Sequence, residues 1–416
     1  MPQPLKFCMI TTFYPPYNFG GDGIYIRRLT HELADRGHRV DVVHCEDAYR
    51  LFQRKKVASE ETNPPNVRVF RLKSRAGFLS PLLTYLTGVP FLKRKKIKEL
   101  IGKNDYDVIH FHNMSLIGIT ALRLGKALKL YTMHEHWLVC PMHVLWKFNR
   151  KACQKRQCLL CTLAAGRPPQ FWRYFGLRDR MSPHVDGFVS PSRFTRGKHH
   201  ELGFDVPIAH LPYFLPLDKA DKNQTSDRAD LAPRRPYFLF VGRLEKIKGL
   251  QDLIPVIKEH PEYELLIAGE GTYGRVLRRL AGNAPNIQFL GKISHDGLRR
   301  LYREAIAVIV PSICYEVFGI IIIESFAVKT PVIVRNFGAM PEVIEDSGGG
   351  FVYKDNDELV IAMRTLATNA LLRDELGARG YQAYLKYWSG DSHIEQYFNL
   401  INKLQSRKAG SRPQAH

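Results

Sequence analysis

The chain has 416 residues, 45% of them hydrophobic, which suits two packed α/β domains because single cores stop growing near roughly 250–300 residues. No stretch reaches the roughly 18–20 uninterrupted apolar residues of a membrane span, and MPQPLKFCMITTFYPP lacks a basic leader with a cleavage site, so a cytoplasmic protein is expected. The net charge of +21 attracts phosphate-rich partners, whether nucleotides, nucleic acid or an anionic membrane surface, without choosing among them.

In chain order, LKFCMITTFYPP reads as a buried strand, YNFGGDG as a glycine-bearing loop, and IYIRRLTHELADRG as an amphipathic helix that stops at Gly37. Strands follow at HRVDVVHCE, NVRVFRL, YDVIHFHN and LKLYTMHEH, with helical segments between them. That alternation belongs to a parallel sheet with crossover helices. Residues 50–103 hold 14 Lys/Arg against 3 Glu, so a polyanionic partner is expected on this half. Within it, FLSPLLTYLTGVPFLKRKKIKEL joins an apolar stretch to Lys93, Arg94, Lys95, Lys96 and Lys98. Such a segment is either a peripheral helix facing anionic lipid headgroups or a core helix followed by a solvated basic face.

Three of the seven cysteines, Cys8, Cys45 and Cys314, are scattered; Cys140, Cys153, Cys158 and Cys161 crowd together at about 137–165 as C-x12-C-x4-C-x2-C. In a reducing compartment they could give four thiolates to a structural zinc, with His143 spare, or remain inert thiols of a loop insertion.

After HVDGFVSPS and VPIAHLPYF, the segment PLDKADKNQTSDRADLAPRRP is polar and proline-bounded, as linkers are. A second alternation then runs through YFLFVGRL, GLQDLIPVIKEH, YELLIAGEG, TYGRVLRRLAG, NIQFLGKI, LRRLYREA, AVIVPSI and TPVIVRN. Two successive doubly wound, Rossmann-like α/β halves are therefore expected. Their bounds are 1–212 and 213–385, followed by a helix over 386–405 packing back on the N-terminal domain and a disordered tail over 406–416.

Such sheets bind ligands just beyond the carboxyl ends of their strands. In FYPPYNFGGDG, Gly20 and Gly21 stand at a helix entrance, where backbone amides can take an anion; an ordinary strand-to-helix turn would use the same glycines. In VGRLEKIKG, Arg243 and Lys248 put two cations on one loop, suited to a diphosphate unless they are merely solvated. In CYEVFGIIIIESF, Glu316 and Glu324 flank four consecutive isoleucines, whose β-branching favours a strand although Gly319 could open a helix.

Taken together, these pieces resemble the retaining GT-B glycosyltransferases of family 4. The family's two glutamates separated by seven residues fall on Glu316 and Glu324, its GR(x)4KG loop on Gly242, Arg243, Lys248 and Gly249, and its GEG on Gly269, Glu270 and Gly271. The resemblance implies two Rossmann-like domains facing each other across a cleft. It also implies that Arg243 and Lys248 hold the diphosphate of a UDP- or GDP-linked donor, Glu324 the ribose and Glu316 the sugar hydroxyls, with amides of Phe318, Gly319 and Ile320 in support. Gly20 and Gly21 match the family's first loop, and His134 its histidine near the reacting sugar, with His136 as competitor. His110 and His112 are given structural or acceptor-side roles.

Lys329 and Ala339 depart from the family pattern, where glycine is usual. The activity implied is transfer of a hexose to a glycan or lipid-linked acceptor with retained configuration, without a catalytic cofactor, by a front-face route in which the donor phosphate takes the proton. A GT-B-like sugar-nucleotide epimerase or hydrolase is the rival reading. RNA-recognition signatures are absent, so nucleic acid is not an expected partner.

Overall fold

The computed structural model describes residues 3–53, 62–217 and 236–410; most of the expected linker therefore lies outside the described residues. By contacts the chain divides into Met1–Tyr213 together with His393–His416, and Phe214–Ser392.

In the first unit, strands β1 (Lys6–Ile10), β2 (Arg39–Cys45), β3 (Val67–Leu72), β4 (Val108–Phe111), β5 (Leu128–Thr132), β8 (Gly187–Ser190) and β9 (Ile208–His210) form one sheet in the order β3-β2-β1-β4-β5-β8-β9. Every pairing in it is parallel, with Phe7 opposite both Val40 and Val108. The apolar runs of β1 and β4 are buried on both faces, as central parallel strands require. The intervening β6 (Trp146–Lys147) and β7 (Lys151–Ala152) make a separate antiparallel hairpin within the cysteine-bearing insertion. The helix Gly390–Gly410 supplies this unit's last segment. There the Tyr397 hydroxyl lies 2.9 Å from His110 Nδ1, and Lys408 pairs with Asp186 at 2.8 Å. Because that helix runs to Gly410, residues 406–410 are ordered helix rather than the expected tail; residues 411–416 lie outside the described part.

In the second unit, β10 (Tyr237–Val241), β11 (Glu264–Ala268), β12 (Ile287–Gly291), β13 (Ala307–Val310), β14 (Val332–Arg335) and β15 (Gly350–Tyr353) form a parallel sheet in the order β12-β11-β10-β13-β14-β15. Its core packs Phe238, Phe240, Ile309 and Ile333 of the sheet against Leu253 and Ile257 of the helix Leu250–Lys258. In each sheet the strand order reverses beside the first strand, between β1 and β4 and between β10 and β13, and ligands of doubly wound sheets bind at such reversals.

The isoleucine segment is a helix, Ile320–Phe326. Ile322, Ile323 and Phe326 are fully buried, and Phe326 stacks on Trp388 with centroids 6.0 Å apart. Burial of this face overrides the strand preference of four β-branched residues.

Candidate active site

In the second unit, the loops after β10, β11 and β13 are tied together through their backbones. Leu244 N donates to Glu270 O at 2.9 Å, Gly242 N to Ala268 O at 3.0 Å, and Ile313 N to Ile247 O at 2.9 Å. Gly242, Gly269 and Glu270 thus stand beside the loop that carries Arg243 and Lys248. Gly249 ends that loop at φ +77°, where an added Cβ would lie 1.9 Å from the carbonyl oxygen of Pro311; no side chain fits there. Gly319 adopts φ +102° at the N-terminus of the isoleucine helix, turning the chain from the loop holding Phe318 into the helix.

The centre of this region is an ion pair. Lys248 Nζ lies 2.6 Å from Glu316 Oε1, which also accepts from Ser312 Oγ at 2.8 Å. Both charged side chains are about four-fifths buried, at 22% and 19% exposure. Burial opposes charge on both, and the pairing outweighs it: Lys248 is raised above the ordinary lysine range by Glu316 and Cys314, and Glu316 is lowered by Lys248, Ser312 and Arg243. The loop around Glu316 is braced by Ala339 N donating to Glu316 O at 3.1 Å and by Tyr315 stacked on Phe337 at 4.7 Å. Arg243 is exposed and pairs with Glu245 at 2.8 Å. Glu324, on the isoleucine helix, accepts from the Tyr302 hydroxyl at 3.1 Å. Residues from distant sequence positions are therefore gathered at the β10/β13 reversal, a cation and a carboxylate in direct contact at their centre.

In the first unit, Gly20 caps the helix Gly21–Asp35 in an extended conformation. Asp22, in its first turn, accepts from Asn113 Nδ2 at 3.1 Å. Burial and then Glu135 raise the Asp22 pKa. His134 is 8% exposed; its Nε2 lies 2.9 Å from His112 Nδ1 and its Nδ1 2.6 Å from the Tyr213 hydroxyl. Burial pushes its pKa down to about 3, so the ring is neutral at physiological pH. His112 and His110 are likewise held well below the usual range, burial being the main cause. His136 is fully buried and stacks on His199 at 5.5 Å.

Sequence reasoning missed Ser312, Tyr302, Asn113 and Tyr213, the side chains that orient the charged and imidazole groups. One signal was available for the histidine pair: β4 and β5 are neighbours, and His112 and His134 both follow their ends closely.

The four clustered cysteines are free thiols. Cys158 and Cys161 share the helix Cys158–Ala164, and burial raises the thiol pKa of Cys140 to about 11 and also raises those of Cys153 and Cys158. Yet Phe148 N donates to Cys161 Sγ at 3.3 Å, and Cys153 Sγ reaches Lys155 O at 3.7 Å. Among the described residues no group of three or more His, Cys, Asp or Glu side chains is placed to hold a metal ion.

The basic stretch also needs one correction. Lys93 is 2% exposed and pairs with Asp47 at 3.0 Å inside the unit, so it belongs to the core and not to a basic face. Arg94, Lys95, Lys96 and Lys98 are exposed, as are Phe78, Phe91 and Leu92 at 61%, 59% and 50%. No described helix is long and apolar enough to cross a membrane.

Two family models match the chain: glycosyltransferase family 4 over residues 19–219, and glycosyl transferases group 1 over residues 221–383. The chain is 26% identical over 376 residues to an uncharacterized glycosyltransferase of Methanocaldococcus jannaschii, covering 86% of this chain and 87% of that protein. It is 25% identical over 393 residues to the phosphatidyl-myo-inositol mannosyltransferase of Mycobacterium tuberculosis, covering 90% and 92%. Among solved structures, the sucrose-phosphate synthase of Thermosynechococcus elongatus matches with a TM-score of 0.74 at 21% identity over 97% of this chain and all of that one. Anabaena HepE in complex with UDP and glucose matches with a TM-score of 0.69 at 16% identity over 96% and 99%. With both halves matched in order and the two parallel sheets of the GT-B fold in place, the chain belongs to the group 1, family 4 glycosyltransferases.

Proposed function

We propose that this glycosyltransferase moves a hexose from a UDP- or GDP-linked donor to a hydroxyl of a glycan or lipid-linked acceptor, with retained anomeric configuration, in polysaccharide, lipopolysaccharide or glycolipid assembly. The observation that carries the reading is the Lys248–Glu316 pair at the β10/β13 reversal. Lys248 and Arg243 neutralise the charge that develops on the departing diphosphate, a task that favours fixed cations over a strong base. Glu316, kept ionised by Lys248, accepts hydrogen bonds from sugar hydroxyls, and Glu324 does so from the ribose. Amides of Phe318, Gly319 and Ile320 complete the cradle.

His134, neutral and locked between His112 and Tyr213, orients a hydroxyl rather than shuttling a proton. A donor phosphate oxygen then takes the proton as the acceptor oxygen bonds to the anomeric carbon on the face the diphosphate leaves. No metal is needed for charge neutralisation when two cations are built in. The HepE complex, with UDP and glucose, and the phosphatidyl-myo-inositol mannosyltransferase support a nucleotide-sugar donor and a lipid-linked acceptor. The exposed Phe78, Phe91 and Leu92 beside Arg94, Lys95 and Lys98 support peripheral contact with an anionic membrane.

The test is turnover against a panel of nucleotide-sugars with glycan and lipid-extract acceptors, alongside Glu316→Ala and Lys248→Ala. Acceptor-dependent sugar transfer that both variants abolish is expected. Undiminished transfer in both removes the site assignment, and nucleotide release without an acceptor points instead to a hydrolase or epimerase.

A further inference from the structure

The insertion between β5 and β8 holds a cavity of about 440 Å³ that the transfer chemistry does not use. Its walls include Leu138, Val139, Leu159, Leu160 and Tyr174, and three arginines, Arg156, Arg173 and Arg178, face it.

The cations are unequally paired. Arg178 pairs at 2.7 Å with Asp179, an exposed carboxylate that also lines the cavity. Among the described residues Arg156 and Arg173 have no carboxylate partner. Arg173 is anchored from behind: Nε donates to Gln170, Nη2 to Trp137 O and Nη1 to Leu138 O at 3.3 Å, and its guanidinium lies 4.3 Å from the Trp172 ring centroid. Burial pulls its pKa down to about 10, which the thiols Cys140 and Cys158 only partly offset. A half-buried guanidinium with neutral anchors and no carboxylate partner among the described residues favours a bound anion.

Around this basic cavity the surface is apolar. Leu160 and Leu163 are 59% and 53% exposed on the helix Cys158–Ala164, and Phe171, Tyr174 and Phe175 are 53%, 54% and 72% exposed on the adjoining turn. That turn packs on the helix Leu79–Thr87, with Trp172 Nε1 donating to Tyr85 O at 3.2 Å, so the insertion adjoins the apolar and basic stretch proposed above for membrane contact. A cationic cavity ringed by exposed leucines and aromatics matches a molecule whose anionic head sits at an interface while its chains lie in the adjoining apolar layer.

We propose that the insertion is a docking site for the phosphate-bearing headgroup of an anionic membrane lipid. Arg156 and Arg173 take the phosphate, and Leu160, Leu163 and Phe175 enter the acyl boundary. The inference rests on the membrane contact proposed above and is independent of the donor site.

The experiment is flotation of the full chain with vesicles of phosphatidylcholine, or of phosphatidylcholine with phosphatidylglycerol, combined with alkylation of Cys158, which lines the cavity. Wild type should float with the anionic vesicles, and these alone should slow Cys158 alkylation several-fold. Arg156→Asp and Leu160→Asp, both at exposed positions, should each lower partitioning at least about fivefold while leaving UDP binding unchanged. If both variants float as wild type does while Lys95→Ala/Lys98→Ala does not, the headgroup site is wrong and the membrane reading stands. If wild type fails to float, both fall. Protection of Cys158 by inorganic phosphate equal to that by vesicles would make the cavity a free-anion site and overturn the lipid assignment.

Discussion

Replacing Lys248 with alanine removes the cation in direct contact with a carboxylate that is about four-fifths buried, leaving Glu316 with the Ser312 hydroxyl at 2.8 Å. Two costs follow. Breaking a fully buried pair costs about 3–5 kcal/mol; partial exposure of both groups here reduces that to about 1–2 kcal/mol of stability. The larger effect is on turnover, since losing one fixed donor to developing oxyanion charge costs about 10²–10³ in kcat, or about 2.7–4 kcal/mol.

The pH dependence has a definite sign. Glu316 is lowered in the folded protein, so its share of stability is present above the ordinary carboxylate range and lost as pH falls through its depressed pKa. Lys248 is raised, so its share is present below the ordinary lysine range and lost as pH rises through the raised value. The pair therefore contributes throughout the neutral range. The assay is donor-dependent kcat and KM for wild type, Lys248→Ala, Glu316→Ala and the double variant, with urea denaturation of each. Coupled losses, the double variant scarcely worse than either single, are expected. Strict additivity, or wild-type kcat in Lys248→Ala, would refute the reasoning.

Gly249→Ala should destabilise the protein by more than about 2 kcal/mol, because the backbone is left-handed there and the new methyl meets the Pro311 carbonyl; a melting temperature within a degree of wild type would contradict this. Glu324→Ala should raise the donor KM about tenfold or more and abolish discrimination between ribose and 2′-deoxyribose donors, measured by competition. The buried His110, His112, His134 and His393 all have lowered pKa values, His134 and His393 at about 3. Their stability contribution is complete above about pH 6.5 and is lost progressively as pH falls towards those values; urea midpoints between pH 7 and 4 measure it, and a flat profile would refute neutral burial. Chelation with EDTA should leave transfer within about twofold, since an open metal position has no part in the proposed charge neutralisation; a loss restored by a divalent ion would show otherwise.

The strand–helix rhythm was legible because the apolar runs of β1, β4, β10 and β13 are buried on both faces and end in polar loops. The isoleucine helix was illegible to local propensity: its state is decided by what packs on Ile322, Ile323 and Phe326, which are distant in sequence. Lys93 was misread for the same reason. Nothing in KRKK reveals that the first lysine meets Asp47 inside the unit. In the site, the charged residues announced themselves by type and spacing, whereas Ser312, Tyr302 and Tyr213 became visible only when folding set them beside Glu316, Glu324 and His134.

The helix Gly390–Gly410 imposes an order on synthesis. Tyr397 stacks near Phe7 at 6.2 Å, His393 reaches the Tyr25 hydroxyl at 3.1 Å, and Leu404 fills the space over Gly187. A sheet made early is therefore covered by a segment made later. A nascent chain that has emerged as far as Tyr213 carries an uncovered apolar patch until that helix has followed, and a fragment ending there inherits it permanently. Anyone exchanging halves between relatives must move the helix Gly390–Gly410 with the first half, because the first unit takes one of its segments from beyond the second.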